Sequence, residues 1–372
     1  MNSFKVCVYA ICKNEEQFVD RWVDSMSEAD LIVVTDTGSD DNTVKRLQER
    51  EAVVHIEEIK PWRFDVARNI SLSHVPEDID ICVCTDLDEI FQPGWRQKLE
   101  EAWQKNLLQV KTPVARAGRY LYNWSLKPDG TPDIQFNYFK VHERHGFRWR
   151  CPVHEYIQYI GNLPKETIFI DDMVLNHYPD AEKSRNSYLP LLELAVEESP
   201  MDERMCYYLG REYMYKGQWQ KCINALLSYL ALPTATWNEE RGAAMRWIAK
   251  ACMGLNHIQA AYGWYYKAIA EAPHMRDPYV EFSKLCYQQK DWPMLLFLSE
   301  EALKIKEKSP TYINMGYSWD YTPHDLCAIA AFRLAMFPRA LEHAKQALEY
   351  QPDDKRLQKN LEIIQESTNY FK

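Results

Sequence analysis

The sequence predicts an α/β domain built on a parallel sheet, followed by an all-α domain of helical repeats. Three observations carry this. From Lys5 to Asp88, short apolar β-branched runs alternate with amphipathic helical stretches. From about Pro190 onward the strand signals fade and helical periodicity takes over. Within that second half, a pattern of small residues closing on a proline recurs. The domains are set at 1–190 and 191–372.

Lys5 to Ile11 reads as a buried strand. It leads through Cys12, Lys13, Asn14, Glu15 and Glu16 into a helix with Phe18, Trp22, Val23 and Met26 on one face. Leu31 to Thr35 is a second buried strand. It runs into the acidic turn Asp36-Thr37-Gly38-Ser39-Asp40-Asp41-Asn42-Thr43, where Gly38 permits a tight bend and Asp40 or Asp41 caps a helix through Val44 and Leu47. Ala52 to Ile56 is a third strand, and Trp62 to Ser73 is helical in pattern. A fourth strand, Ile81 to Thr85, stops at Asp86, Asp88 and Glu89. After it, Pro93 to Lys105 reads as a helix. The segments Leu107–Val114, Arg119–Trp124, Gln135–Val141 and Thr167–Leu175 alternate like antiparallel strands.

Carboxylates crowded at the end of a buried strand repel one another and are costly to desolvate. A positive partner is therefore expected there, and a divalent metal holding a phosphate meets the need. In Asp86-Leu87-Asp88 the two acids share one side of an extended segment and face one ion or ligand. The rival reading is an acidic turn in which Asp88 caps the next helix. In open parallel sheets, ligands bind beyond the carboxyl ends of the strands. The loops at Cys12, Asp36 and Asp86 all lie at that edge, which favours a metal–nucleotide site over three unrelated turns.

Composition narrows the classes. The 372 residues are 46% hydrophobic and 13% aromatic, enough for a large core in two or more domains. The net charge of −10 argues against a nucleic-acid binder working through a basic face. No signal peptide is expected at the N-terminus, and no transmembrane run of about 18 apolar residues occurs. The ten cysteines are scattered without a C-x-x-C, which reads as reduced, buried cysteine in a cytoplasmic protein.

Four pieces in this order and spacing now matter together: Lys13-Asn14-Glu15-Glu16, the turn from Asp36 to Thr43, Ala67-Arg68-Asn69, and Asp86-Leu87-Asp88. They resemble the family 2 glycosyltransferases, over roughly residues 4 to 180. The resemblance implies a GT-A fold with a Rossmann-like mixed sheet. It implies a nucleotide-sugar donor, a UDP-hexose being expected, and Mn2+ or Mg2+ bridging the donor diphosphate. Residue by residue, it implies that Ala10 and Cys12 wall the base and that Asp36 holds the nucleobase or ribose. Arg68 would lie close to Asp86 and the donor. Asp86 would bind ribose and, through water, the metal, and Asp88 would ligate the metal. Hard oxygen ligands suit these ions.

The stretch from Phe147 to Glu155 resembles an element of bacterial members of the family. An inverting transfer needs a carboxylate to deprotonate the acceptor, and Glu155 is the candidate base. The Glu-Asp pair of many members is absent, and the alternative for Glu155 is a surface strand carboxylate. His177, directly after a strand, is the implied third metal ligand; its alternative is a structural hydrogen-bonder. Lys140, Arg148 and Arg150 read either as cations screening the diphosphate or as solvated strand residues.

In the second half, Ala261, Tyr265, Ala268 and Pro273 recur in register as Ala340, Ala344, Ala347 and Pro352. This resembles the second helix of a tetratricopeptide repeat, and Leu209, Gly210, Tyr213 and Gly217 resemble the first. Four helix pairs are expected at roughly 203–233, 239–273, 277–307 and 322–352, with a capping helix at 354–366. An aromatic-rich insert, Ser309 to Tyr321, separates the last two pairs and reads either as groove lining or as packing. The joint arrangement resembles the sublancin-type peptide S-glycosyltransferases. That implies a peptide or protein acceptor, at Ser/Thr oxygen or Cys sulfur, engaged through the repeats, and a homodimer. The alternatives are a transferase building a surface or lipopolysaccharide-core saccharide, and a non-catalytic interaction scaffold.

Overall fold

The computed structural model describes residues 4–180 and 188–370. The chain forms two compact units, Met1–Glu198 and Ser199–Lys372. In the first, β1 (Val6–Cys12), α1 (Val19–Met26), β2 (Leu31–Asp36), α2 (Thr43–Glu49), β3 (Val53–Ile56), α3 (Phe64–His74) and β4 (Ile81–Cys84) alternate. There follow β5 (Glu89–Phe91), α4 (Trp95–Gln109), β6 (Ala115–Leu126), β7 (Pro132–Glu143), β8 (Phe147–Arg150), β9 (Tyr156–Tyr159), β10 (Lys165–His177) and α5 (Tyr188–Glu198). The division at 198 keeps α5 with the first unit; the boundary expected at 190 falls inside that helix.

Eight strands make one mixed sheet in the order β3-β2-β1-β4-β7-β6-β10-β5, and β8 pairs with β9 in a separate hairpin. Strands β1 to β4 are mutually parallel. Strand β7 is antiparallel to β4 and β6, while β10 is parallel to β6 and antiparallel to β5. Every residue of β1 is buried. Val6, Val8, Ala10 and Cys12 face a core with Trp22, Met26 and Trp95, and Cys7 and Tyr9 face a second core with Leu72, Cys84 and Trp149. A strand covered on both faces has no polar side to show, so its sequence is a continuous apolar run.

Two expectations fail here. No strand spans Leu107–Val114, because α4 continues to Gln109, with Trp95, Leu99, Trp103 and Asn106 buried on one helical face. The strand at Thr167–Leu175 runs parallel to β6, since side-chain alternation carries no information on direction. That pairing also contains a bulge: Phe169 pairs with Arg119 and Val174 with Leu121, with Ile170 and Met173 fully buried between them.

A buried polar chain crosses the second core. Trp149 Nε1–H donates to Tyr9 Oη at 2.9 Å, and Tyr9 O–H donates to His142 Nε2 at 2.8 Å. His142 Nδ1–H donates to the Glu143 carbonyl at 2.7 Å. Burial pulls His142 down to about 4 from its ordinary 6.5. The unfolded chain then takes a proton that the fold refuses, so stability is unaffected above pH 6.5 and falls as the pH drops from 6.5 toward 4. The fall attributable to His142 is about 3 kcal/mol. Urea unfolding at pH 7 and pH 4.5 is expected to show His142→Gln losing less stability than wild type across that interval. An equal loss would remove His142 from the explanation.

The second unit is an array of helix pairs: α6 (Glu203–Tyr215) with α7 (Trp219–Ala231), α8 (Asn238–Gly254) with α9 (Ile258–Glu271), α10 (Arg276–Gln289) with α11 (Trp292–Lys304), and α12 (Thr322–Arg333) with α13 (Phe337–Tyr350). A closing helix, α14 (Lys355–Tyr370), packs on α13. All four pairs and the closing helix lie where expected. The small residues act by close approach: a Cβ on Gly210 would come within 2.4 Å of Leu226 on the paired helix. Ala261, Ala268 and Ala340 are wholly buried. First helices of neighbouring pairs also pack on one another, α6 on α8, α8 on α10 and α10 on α12. Among the described residues no helix is long and apolar enough to cross a membrane.

Candidate active site

Three loop clusters meet at the carboxyl edge of the parallel strands. The first two are clamped together. Asn14 N–H donates to Ser39 Oγ at 2.8 Å, Asp40 N–H to Asn14 Oδ1 at 2.9 Å, and Glu15 N–H to Thr43 Oγ1 at 2.8 Å. Asp36 lies at the centre and is 1% exposed. Its Oδ1 accepts from the N–H groups of Gly38 and Ser39 at 3.0 and 2.9 Å, and its Oδ2 from the Ser39 hydroxyl and the Cys12 thiol. The turn is of the Asx type, and Gly38 at φ 104° supplies its left-handed residue. As it stands this carboxylate shapes its own loop, and contact with a nucleobase requires exchange of one of those bonds. Ala10 is wholly buried beside Val6 and Val8, so it walls no open surface. Cys12 is buried on the same side of β1 and turned toward Asp36.

The third cluster follows β4. Arg68 of α3, only 4% exposed, donates Nη2–H to Asp86 Oδ1 at 2.7 Å and Nε–H to Glu155 Oε1. Buried Lys140 of β7 donates to Asp86 Oδ2 at 3.0 Å and stands 3.5 Å from Glu89 Oε1. Glu89 also accepts from Tyr122 O–H at 2.8 Å and from Asp86 N–H at 2.9 Å. Each oxygen of Asp86 thus meets a cation. Burial opposes ionisation of Asp86, but Arg68 and Lys140 outweigh it and hold the carboxyl well below the usual range. Burial likewise works against charge on Arg68 and Lys140, and the carboxylates around them hold both well above their ordinary values. Glu89 is pushed up by burial and, against Lys140, by Asp86 and Asp88.

Glu155 is brought to this cluster by the β8–β9 connection, which turns through left-handed Cys151 (φ 73°) and His154 (φ 50°). Its side chain is 10% exposed, so the surface-carboxylate alternative does not hold. Of the three cations left open by sequence, Lys140 is buried against Asp86, while Arg148 and Arg150 are exposed on β8.

Asp88 is turned away from these cations. The antiparallel pairing of β10 with β5 sets His177 opposite Glu89, and Tyr178 N–H donates to the Asp88 carbonyl at 2.8 Å. His177 Nε2 then lies 3.4 Å from Asp88 Oδ2. The other ring nitrogen, Nδ1, donates to the Trp124 carbonyl at 3.1 Å, and the ring stacks on Trp124 with centroids 4.7 Å apart. Burial works against protonation of His177, yet Asp88 raises its pKa overall.

This pair fits a divalent ion. Two ligands at about 2.1 Å and a right angle lie about 3 Å apart, close to the observed separation. A histidine whose far nitrogen is bonded to a carbonyl presents the near one as a lone pair, the usual support of a metal-binding imidazole. Among the described residues no three His, Cys, Asp or Glu side chains form a ready cation cage. Ions of this class commonly complete their shell with substrate phosphates and water. Trp124, Glu89 and Tyr122 were not foreseen as site residues. Only the position of Glu89, directly after Asp88, was a local signal.

The family model for Glycosyl transferase family 2 matches residues 7–161. No curated protein matches the chain. Among solved structures, the chain is similar to S. aureus TarS, at 12% identity over 70% of this chain and 55% of that one, with a TM-score of 0.43. It is also similar to the MamA protein, at 19% identity over 45% of this chain and 83% of that one, with a TM-score of 0.35. The matched segment contains the clamped loops together with Arg68, Asp86, Asp88 and Glu155. The N-terminal domain is accordingly a family 2 glycosyltransferase domain of GT-A type, which makes the protein a glycosyltransferase drawing on a nucleotide sugar, with a tetratricopeptide-like helical array after it.

Proposed function

We propose that this glycosyltransferase works with bound Mn2+ or Mg2+, inverts the anomeric centre, and delivers its sugar to a Ser/Thr oxygen or Cys sulfur of a peptide or protein. The observation that carries the reading is the division of labour between Asp86 and Asp88. Asp86 has both oxygens matched by cations and is fixed in place; Asp88 faces His177. In this reading Asp88 Oδ2 and His177 Nε2 hold the ion. When bound, the ion offsets the negative charge gathering on the leaving nucleoside diphosphate. Asp86 accepts from the ribose hydroxyls, and Asp36 and Cys12 frame the base.

Glu155 is the proposed base. It shares one guanidinium with Asp86, and the cluster sets three carboxylates (Asp86, Glu89, Glu155) against two cations (Arg68, Lys140). Glu155→Gln keeps an oxygen for Arg68 and is expected to leave the donor Kd unchanged by calorimetry while transfer falls by about two orders of magnitude. Near-normal turnover would remove Glu155 from the role.

The helical array supports a peptide acceptor, because stacked repeats offer extended surfaces suited to chains. A cytoplasmic location and a homodimer belong to the same proposal. The test is release of nucleoside diphosphate from a panel of nucleotide sugars, UDP-hexoses first, with Mn2+ or Mg2+ and with EDTA, in the presence and absence of a Ser/Thr/Cys peptide library. Metal-dependent release that the library accelerates is the expected result. Release untouched by EDTA would count against the metal.

A further inference from the structure

Residues 305–321 separate α11 from α12 with a single 3-10 turn, Gly316–Ser318. Irregular segments of this length are uncommon in compact domains unless they have a function of their own. This one runs along the first helices of three repeats. Tyr312 O–H donates to Glu240 of α8, and its ring meets Tyr208 of α6 at 6.2 Å and Trp237 at 5.6 Å between centroids. The Ile313 carbonyl accepts from Arg246 of α8 at 3.3 Å. Met315 N–H and the Ser318 hydroxyl donate to Asp277 Oδ1 of α10 at 2.7 and 3.1 Å. Tyr317 O–H donates to Glu281 of α10 at 2.6 Å, and Lys284 Nζ lies 3.3 Å from its ring centroid. The Ser318 carbonyl accepts from Arg276 at 3.4 Å, and that guanidinium sits 4.0 Å over the Trp319 ring.

The contacts fall into two kinds. Two arginines and an aspartate take the main chain at Ile313, Ser318 and Met315. Two glutamates take phenols five positions apart. Main-chain contacts give affinity to any extended peptide, and the phenol sites select among them. The occupant does not use the whole site. Asp277 Oδ2 and Glu281 Oε2 of the groove are buried without a hydrogen-bond partner among the described residues, and so are Asn314 Oδ1 and Trp319 Nε1 of the segment itself. Native packing normally satisfies such atoms. Beside Tyr312, a cavity of about 300 Å3 lined by Arg204, Trp237 and Glu240 continues the same wall.

We propose that residues 305–321 are an internal pseudo-ligand. The first-helix groove binds an extended peptide with two phenolic side chains five positions apart, and the chain's own segment fills it until such a peptide displaces it. The proposal rests on the repeat unit alone and stands or falls independently of sugar transfer.

The probe is a fluorescently labelled synthetic peptide with the sequence of residues 306–321. The host is the full-length chain carrying Tyr312→Ala and Tyr317→Ala, which loosens the tethered copy and leaves Arg246, Arg276 and Asp277 in place. The peptide is expected to bind this variant at least about tenfold more tightly than wild type, where the tethered copy competes at roughly millimolar effective concentration. A peptide with both tyrosines replaced by alanine is expected not to bind. A folded variant that ignores the peptide, or equal binding to variant and wild type, would overturn the proposal. Should the variant fail to fold, hydrogen exchange on wild type decides. Segment amides, Met315 among them, are expected to exchange by local opening, well ahead of α10. Exchange only through global unfolding overturns the proposal.

Discussion

Asp88→Ala is expected to reduce metal-stimulated release of nucleoside diphosphate by about two to three orders of magnitude and to make the residual activity indifferent to EDTA. The size follows from what the side chain does. Its Oδ2 faces His177 Nε2 at 3.4 Å, whereas both oxygens of Asp86 already answer to Arg68 and Lys140. No neighbouring carboxylate is therefore free to take over the ion. The fold is expected to persist, because the structural contact of Asp88 is its carbonyl, which accepts from Tyr178 N–H and survives the change. Calorimetric titration of Mn2+ with a nucleoside diphosphate separates the possibilities. Unchanged metal-dependent binding in the variant would mean that the ion sits elsewhere.

Arg68→Met is expected to cost about 3–5 kcal/mol of stability in the N-terminal domain as well as activity. Arg68 is fully enclosed, contacts Asp86, Glu155 and the Cys84 sulfur, and lies over the Trp149 ring at 5.1 Å. Removing it leaves Asp86 and Glu155 without the cation they share, and Lys140 reaches only Asp86 of the two. For a domain of this size the melting point should fall on the order of 10 °C. Arg68→Lys should not rescue it, since an ammonium is a point donor and cannot hold Asp86 and Glu155 with separate nitrogens. A melting curve within a degree or two of wild type would show that the cluster is not the keystone inferred from its burial.

The architecture was legible where local chemistry determines it. The runs at Lys5–Ile11 and Ile81–Thr85 are apolar and β-branched because helices cover both of their faces. The alanines at 261, 268, 340, 344 and 347 announce helix pairs because only small side chains allow that approach. What stayed hidden depends on partners far along the chain. Lys140 looks like any strand lysine until the fold brings Asp86, 54 residues away, against it. Trp124 becomes relevant only when β6 and β10 pair and its carbonyl meets His177. Two further features have local causes. Ala10 shares its parity with Val6 and Val8, and period-two alternation alone places it in the core. The Asp36-Thr37-Gly38-Ser39 turn has the composition of a self-capping Asx turn, which accounts for the enclosure of that carboxylate.

The bulge in β10 has a consequence for which sequence changes this domain can absorb. His177 reaches Asp88 because the five residue steps of β10 from Phe169 to Val174 span only two steps of β6, from Arg119 to Leu121. Strand positions alternate between faces, so a slip of one residue reverses every side chain beyond it. Losing one residue among 170–173 would bring Tyr178 into the slot of His177 and turn the imidazole away from Asp88. The exposed tip of the β6–β7 hairpin, residues 127–131, tolerates a change of length without moving any site residue. A change of chain length is thus expected to be harmless at that tip and disabling at a bulge that touches no ligand.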